Sequence, residues 1–169
     1  MRSATSYFNF TLFRKNLSRF WPIWGLYGLI WLVLLPIGLL TDGDYLTLAR
    51  ARLIPLQYLD GMSTALFLAA GFGILCAMAV FSYLYSSRSV GLLHALPMRR
   101  EGLFLTNYLS GLAFLVLPNL AVFFLSLLVE AAFGVLVFSS LFVWLVTGCF
   151  YCLFFYSFAV FCAMFTGHI

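Results

Sequence analysis

Four apolar runs of membrane-crossing length fix what this sequence can become. They cover residues 21–40, 64–85, 106–129 and 141–165. A helix of about twenty residues, rising 1.5 Å per residue, spans about 30 Å, the thickness of a bilayer's hydrocarbon. Charged residues make up 8% of the chain and hydrophobic ones 64%, whereas soluble domains carry roughly 25% charged residues. The sequence therefore predicts an all-α fold: a polytopic transmembrane helix bundle of about four spans, forming a single transmembrane domain over residues 1–169.

The basic residues set the orientation. Arg2, Arg14, Lys15 and Arg19 precede the first span with no acid among them, and Arg88, Arg99 and Arg100 stand against Glu101 between the second and third spans. The remaining connections hold Asp42, Asp44, Asp60 and Glu130 against Arg50 and Arg52. The positive-inside rule then places both termini on the cytoplasmic side of a multi-pass protein. Positive charge flanks the apolar runs instead of interleaving with aromatics in one patch, so no nucleic-acid partner is expected.

Residues 1–20 read as an interfacial helix. Tyr7, Phe10, Phe13, Leu17 and Phe20 share one side of a helical wheel, and Lys15 and Arg19 lie opposite. Such a helix rests its apolar side on the bilayer and offers its basic side to headgroups. Phe8 and Leu12 interrupt that pattern. A removable leader is not expected, given the long basic stretch, the twenty-residue run and the lack of a small-x-small cleavage site.

Within the spans, Pro36 is expected to kink the first and Pro118 the third. Residues 41–63 read as a short surface segment broken at Pro55. In the second span Ala65, Ala69, Gly73 and Ala77 recur every fourth residue, a ribbon of small side chains that lets another helix approach closely. Asn107 and Asn119 are the polar members of the third span. Asn119 is expected to bond a neighbouring helix, or backbone groups freed by Pro118, in preference to a substrate. Glu130, placed just past that span, is expected to snorkel to water or headgroups, the alternative being an intramembrane site facing a cavity. Cys76, Cys149, Cys152 and Cys162 all fall in apolar runs. They read as small polarisable packing residues, not as a disulfide framework or a metal site.

The long polar break at residues 86–102 is the region with the clearest local grammar. Ser89 can cap a short helix. Val90, Leu92, Leu93 and Leu96 place apolar groups mostly along one side with His94 off it, and Pro97 ends the turn. A helix of about two turns is not stable alone in water, so its apolar side must dock on something. Read from these residues alone, an ordinary loop whose arginines only fix topology remains the competing account.

Arg88-Ser89-Val90, His94-Ala95-Leu96-Pro97, Arg99-Arg100-Glu101 and Leu103-Phe104-Leu105-Thr106-Asn107-Tyr108-Leu109, with Met78 to Tyr85 upstream, resemble the loop between the second and third spans of bacterial ABC transporter permeases of the type-2 exporter class. The resemblance implies that residues 89–96 are a coupling helix seated on a separate ATPase subunit. It also implies contact through Arg88, Ser89, Val90, Leu92, Leu93, His94, Leu96, Pro97, Arg99, Arg100 and Glu101. A second permease chain is implied as well, with ATP and magnesium held by the ATPase. Members of that family usually have six spans, so this four-span chain is expected to be an N-terminal part of a longer permease in a bacterial cytoplasmic membrane.

No phosphate-binding loop of the G-x-x-x-x-G-K-[ST] form is present, so ATP hydrolysis is expected in a partner and not here. A membrane enzyme built on Glu130, His94 and His168 is disfavoured, because the expected topology puts the glutamate and the histidines on opposite sides. The other alternative is a non-transporting membrane anchor or sensor partner.

Overall fold

The computed structural model describes residues 8–41, 54–82, 100–134 and 138–166. Those residues are helical throughout apart from caps and turns, with no strand among them. A short helix α1 (Phe10–Arg19) leads directly into α2 (Trp21–Leu32). After these come α3 (Ile54–Phe81), α4 (Arg100–Ala132) and α5 (Phe138–Thr166). Four stretches are long and apolar enough to cross a membrane: Trp21–Leu40, Met62–Phe81, Glu101–Ala132 and Phe138–Phe165. The protein is membrane-embedded on that ground.

The chain breaks between α1 and α2 at Phe20, whose φ of -102° and ψ of 20° leave the helical region. Pro22 follows in the first turn of α2, where a missing N–H costs nothing. The Trp24 indole donates to the Leu17 carbonyl at 3.0 Å, satisfying one of the orphan acceptors at the end of α1. Further along, Pro36 widens the first span instead of breaking it. Residues Val33–Ile37 form a π-helical turn, in which Gly38 N–H reaches back to the Val33 carbonyl, and one more α-turn, Gly38–Thr41, closes the segment. A π turn lets the ladder re-form around a residue with no N–H to give.

Two expectations about boundaries change. Of the surface segment expected over residues 41–63, the part from Ile54 onward is instead the start of α3, with Pro55 in its first turn, the helix position proline tolerates best; residues 42–53 lie outside the described residues. The third span, expected from residue 106, is helical from Arg100 through Pro118 to Ala132. The helix then closes through Gly134, whose φ of 68° is left-handed and whose N–H donates to the Ala131 carbonyl at 3.1 Å. Glycine takes that conformation without strain.

Contacts along the helices fix an up-and-down bundle. Phe20 meets Phe114 (ring centroids 6.1 Å) and Tyr27 meets Asn119, so α2 and α4 run parallel. Phe81 meets Phe104 at 5.7 Å and Phe123 meets Phe138 at 6.2 Å, so α3 and α5 run the other way. The most extensive helix contact is between α3 and α5. Ala65, Ala69, Gly73 and Ala77 are all buried. A Cβ on Gly73 would lie 3.1 Å from the Tyr156 backbone nitrogen and 3.3 Å from Phe155 Cβ, so α5 passes close against this stretch of α3. Lipid tails are as apolar as leucine, so it is such close packing, more than the hydrophobic effect, that holds the helices together.

Candidate functional site

The polar side chains of this bundle gather on α4, at two levels. At its beginning α4 carries Thr106, Asn107 and Ser110 on one side, three and four residues apart. The Thr106 hydroxyl donates to the Gly102 carbonyl and the Ser110 hydroxyl to the Thr106 carbonyl, each at 2.7 Å. Their protons are thus committed to the helix itself, and their oxygens face outward as acceptors. Helix α1 supplies the donors. Asn9 caps α1, its side-chain oxygen accepting from the N–H groups of Thr11 and Leu12 at 3.0 and 3.2 Å, and its own N–H donates to Thr106 Oγ1 at 3.1 Å. Two turns on, Asn16 Nδ2 donates to Asn107 Oδ1 at 2.8 Å and reaches Ser110 Oγ at 3.4 Å. Helix α1 is strapped to α4 by polar bonds.

That attachment changes the reading of the N-terminal helix. Leu17 and Phe20 pack against the core, whereas Phe10 is 68% exposed. The apolar side expected to act as one surface is split, because the two asparagines turn the helix toward α4. Arg14, Lys15 and Arg19 are exposed, and the Arg19 guanidinium lies 5.3 Å from the centre of the Phe20 ring.

The second level is mid-bundle. The Tyr27 hydroxyl donates to Asn119 Oδ1 at 3.0 Å, Asn119 Nδ2 lies 3.7 Å from Cys152 Sγ, and Cys152 Sγ lies 3.3 Å from the Tyr27 hydroxyl. Each group can donate once and accept once around the ring. Three helices, α2, α4 and α5, are thereby closed on one another through these three side chains. Asn119 serves interhelical bonding, and Cys152 is more than packing. Phe72 of α3 covers the ring, its centroid 5.1 Å from that of Tyr27. Close approach is enforced beside it: a Cβ on Gly28 would lie 3.2 Å from Pro118 Cβ.

A third set ties α4 to α5. The Tyr156 hydroxyl donates to the Tyr108 carbonyl at 3.1 Å, and the Tyr108 hydroxyl pairs with Ser157 Oγ at 2.8 Å. Gly111 makes room for it, since a Cβ there would lie 2.6 Å from Tyr156 Cζ.

Glu130 departs from its expected place. The residue has no exposed surface. The helix continues to Ala132, so Glu130 sits inside the last turn, eleven residues after Asn119 and on the same inward stripe; it does not snorkel. Cys76 and Cys152 are buried, Cys149 is intermediate and Cys162 is exposed on the outer surface of α5.

Of the residues expected to meet an ATPase, Arg88, Ser89, Val90, Leu92, Leu93, His94, Leu96, Pro97 and Arg99 lie outside the described residues. His168 does too. Arg100 opens α4, and Glu101 is exposed in its first turn, where a carboxylate complements the helix dipole. Among the described residues no three His, Cys, Asp or Glu side chains come together as metal ligands do. Sequence pattern alone assigns no bonding role to Asn16, Tyr27, Thr106 or Ser110. No protein-family model matches the chain, and neither a curated protein nor a solved structure does.

Proposed function

We propose that this protein is the membrane subunit of an ABC exporter, driven by an ATPase carried on a separate chain and paired with a second permease chain. The resemblance of residues 78–85 and 88–109 to that family supports the reading. The observation that carries it is mechanical. Residues 83–99 join α3 to α4, and α4 is helical from Arg100 onward with α1 strapped to its first turns by Asn9 and Asn16. A push on the loop would therefore be passed directly along α4, with no hinge between Arg100 and the membrane-crossing part of the helix, and to α1 through the strap.

In this reading the stretch 89–96 is the coupling helix, and α1 lies along the cytoplasmic face of a bacterial membrane with its cations toward anionic headgroups. ATP and magnesium stay on the partner. Closure of the ATPase dimer would rock α3 and α4 and expose a path between the permease chains to each side in turn.

Affinity purification from native membranes in mild detergent tests this. An ATPase subunit is expected to accompany the wild-type protein and to be lost with Leu93→Asp, while both proteins insert equally. A well-inserted wild-type protein that brings no ATPase would overturn the exporter reading in favour of a membrane anchor.

A further inference from the structure

Helix α1 has two faces with different surroundings. One carries Asn16, Leu17 and Phe20, which are bonded to or packed on the bundle. The other is exposed and runs through Phe10, Arg14, Lys15, Ser18 and Arg19. Phe10, Arg14 and Ser18 stand four residues apart, and so do Lys15 and Arg19, so they form two adjacent rows of one stripe. The three cations have no acidic partner among the described residues. Of the acidic side chains described, Glu101 is exposed in the first turn of α4, ahead of the strap, and Glu130 lies about 30 Å beyond Ser110 along the axis. Lys15 and Arg19, one turn apart, repel each other, and the strap on the opposite face keeps the helix from turning them elsewhere.

A cationic helix face is ordinarily just solvated. Two observations place this one in a headgroup layer instead. The apolar side chains that flank the cations, Phe10 and Trp21, are 68% and 63% exposed, a poor arrangement in water and the usual one at a bilayer interface. The first membrane-crossing stretch begins at Trp21, so Arg14 is separated from the start of the hydrocarbon by about 10 Å of helix, and Lys15 and Arg19 by less.

We infer that Arg14, Lys15 and Arg19, with the Ser18 hydroxyl beside them, bind the phosphate headgroup of an anionic phospholipid, and that the bound lipid clamps α1 in its strapped position. Phosphate oxygens accept from the two guanidinium groups, the ammonium and the hydroxyl. A zwitterionic headgroup brings its own cation and gains less from the same donors. Lipid and asparagines hold opposite faces of α1, so the two grips add to each other. The half-buried strap thereby becomes a junction whose strength depends on the leaflet. This inference rests on the placement of α1 at the membrane face given above, and not on the ATPase.

The test is hydrogen exchange of the full chain in nanodiscs, from pure phosphatidylcholine through mixtures of rising phosphatidylglycerol content, read at the amides of Phe13 to Arg19. Exchange there is expected to slow several-fold and to level off while phosphatidylglycerol is still the minor lipid, with the amides around Tyr27 and Asn119 unchanged. The triple variant Arg14→Gln, Lys15→Gln, Arg19→Gln changes only exposed positions and is expected to exchange in every mixture as it does in pure phosphatidylcholine. A response that grows with phosphatidylglycerol without levelling off, or that the triple variant retains, overturns the site in favour of diffuse surface charge. Equal protection from inorganic phosphate in phosphatidylcholine nanodiscs overturns the lipid as its occupant. Placement is read separately, from broadening of the Trp21 indole NMR signal by phosphatidylcholine spin-labelled in its headgroup. A broadened Trp21 with no response to phosphatidylglycerol overturns the headgroup site alone. A Trp21 signal that stays sharp overturns the membrane placement of α1 and the site with it. No ATPase is present in any sample, so these outcomes leave the exporter reading where it stands.

Discussion

Helix α4 is joined to the N-terminal part of the chain twice, and the two junctions solve the same problem in different solvents. At its beginning the strap pairs Asn9 and Asn16 with Thr106, Asn107 and Ser110. The α1 side of that junction is only half-buried, so water or headgroups can replace each bond as it opens. Mid-bundle, the ring of Tyr27, Asn119 and Cys152 is 1%, 1% and 0% exposed. Nothing there can replace a lost partner. Similar numbers of polar contacts therefore have unequal worth: the ring fixes the packing of three helices, and the strap holds one short helix that can leave without unfolding the rest.

The largest effect expected from this contrast is at Asn119. Asn119→Ala removes its bonds to two helices and strands the Tyr27 hydroxyl with only the Cys152 sulfur. A loss of about 2 kcal/mol follows, taking the values found for interhelical hydrogen bonds in membranes and for a buried unpaired group. Reversible unfolding in mixed detergent measures it. A loss below about 0.5 kcal/mol would break the contrast, since the ring would then be worth no more than a surface pair.

Much of the architecture is legible without coordinates because it is periodic. Span lengths follow from apolar runs, and the four-residue repeat from Ala65 to Ala77 marks a packing face wherever its partner lies. The polar junctions are not periodic. Tyr27 looks like any aromatic in an apolar run, and its partners stand 92 and 125 residues away. Asn16 reads as a routine polar residue on a basic helix because nothing local says that Asn107 is opposite it. Glu130 departs from expectation for a related reason: a charge at the edge of a run suggests a helix end, but the helix runs two residues further and carries it inside.

A middle-sized effect is expected at Cys152. Cys152→Ala keeps the volume nearly constant but opens the ring at its weakest member, since sulfur contacts are longer and softer than those between oxygen and nitrogen. About 1 kcal/mol of stability should go. Cys152→Ser, which keeps one donor and one acceptor at that place, should recover most of it. If alanine and serine behave alike in the same unfolding assay, the sulfur acts only by packing, and the ring reduces to a single Tyr27–Asn119 bond.

The smallest effect on global stability, and the sharpest test of the contrast, is at Asn16. Asn16→Ala deletes the bonds to Asn107 and Ser110, and their polar atoms become reachable once α1 lifts. Solvent compensation then holds the global loss to about 0.5 kcal/mol or less. The local consequence is larger, because α1 keeps no buried residue of its own and is left with the Asn9–Thr106 bond, the Trp24–Leu17 bond and the packing of Leu17 and Phe20 at its end. Hydrogen exchange should report it: amides of Phe13 to Arg19 are expected to lose protection several-fold while those around Tyr27 and Asn119 hold theirs. Thr106→Val, which removes the remaining acceptor, should add to the effect in α1 and nowhere else. Loss of protection spreading to Tyr27 would mean that strap and ring are one cooperative unit, and the short helix could not move independently of the bundle it is tied to.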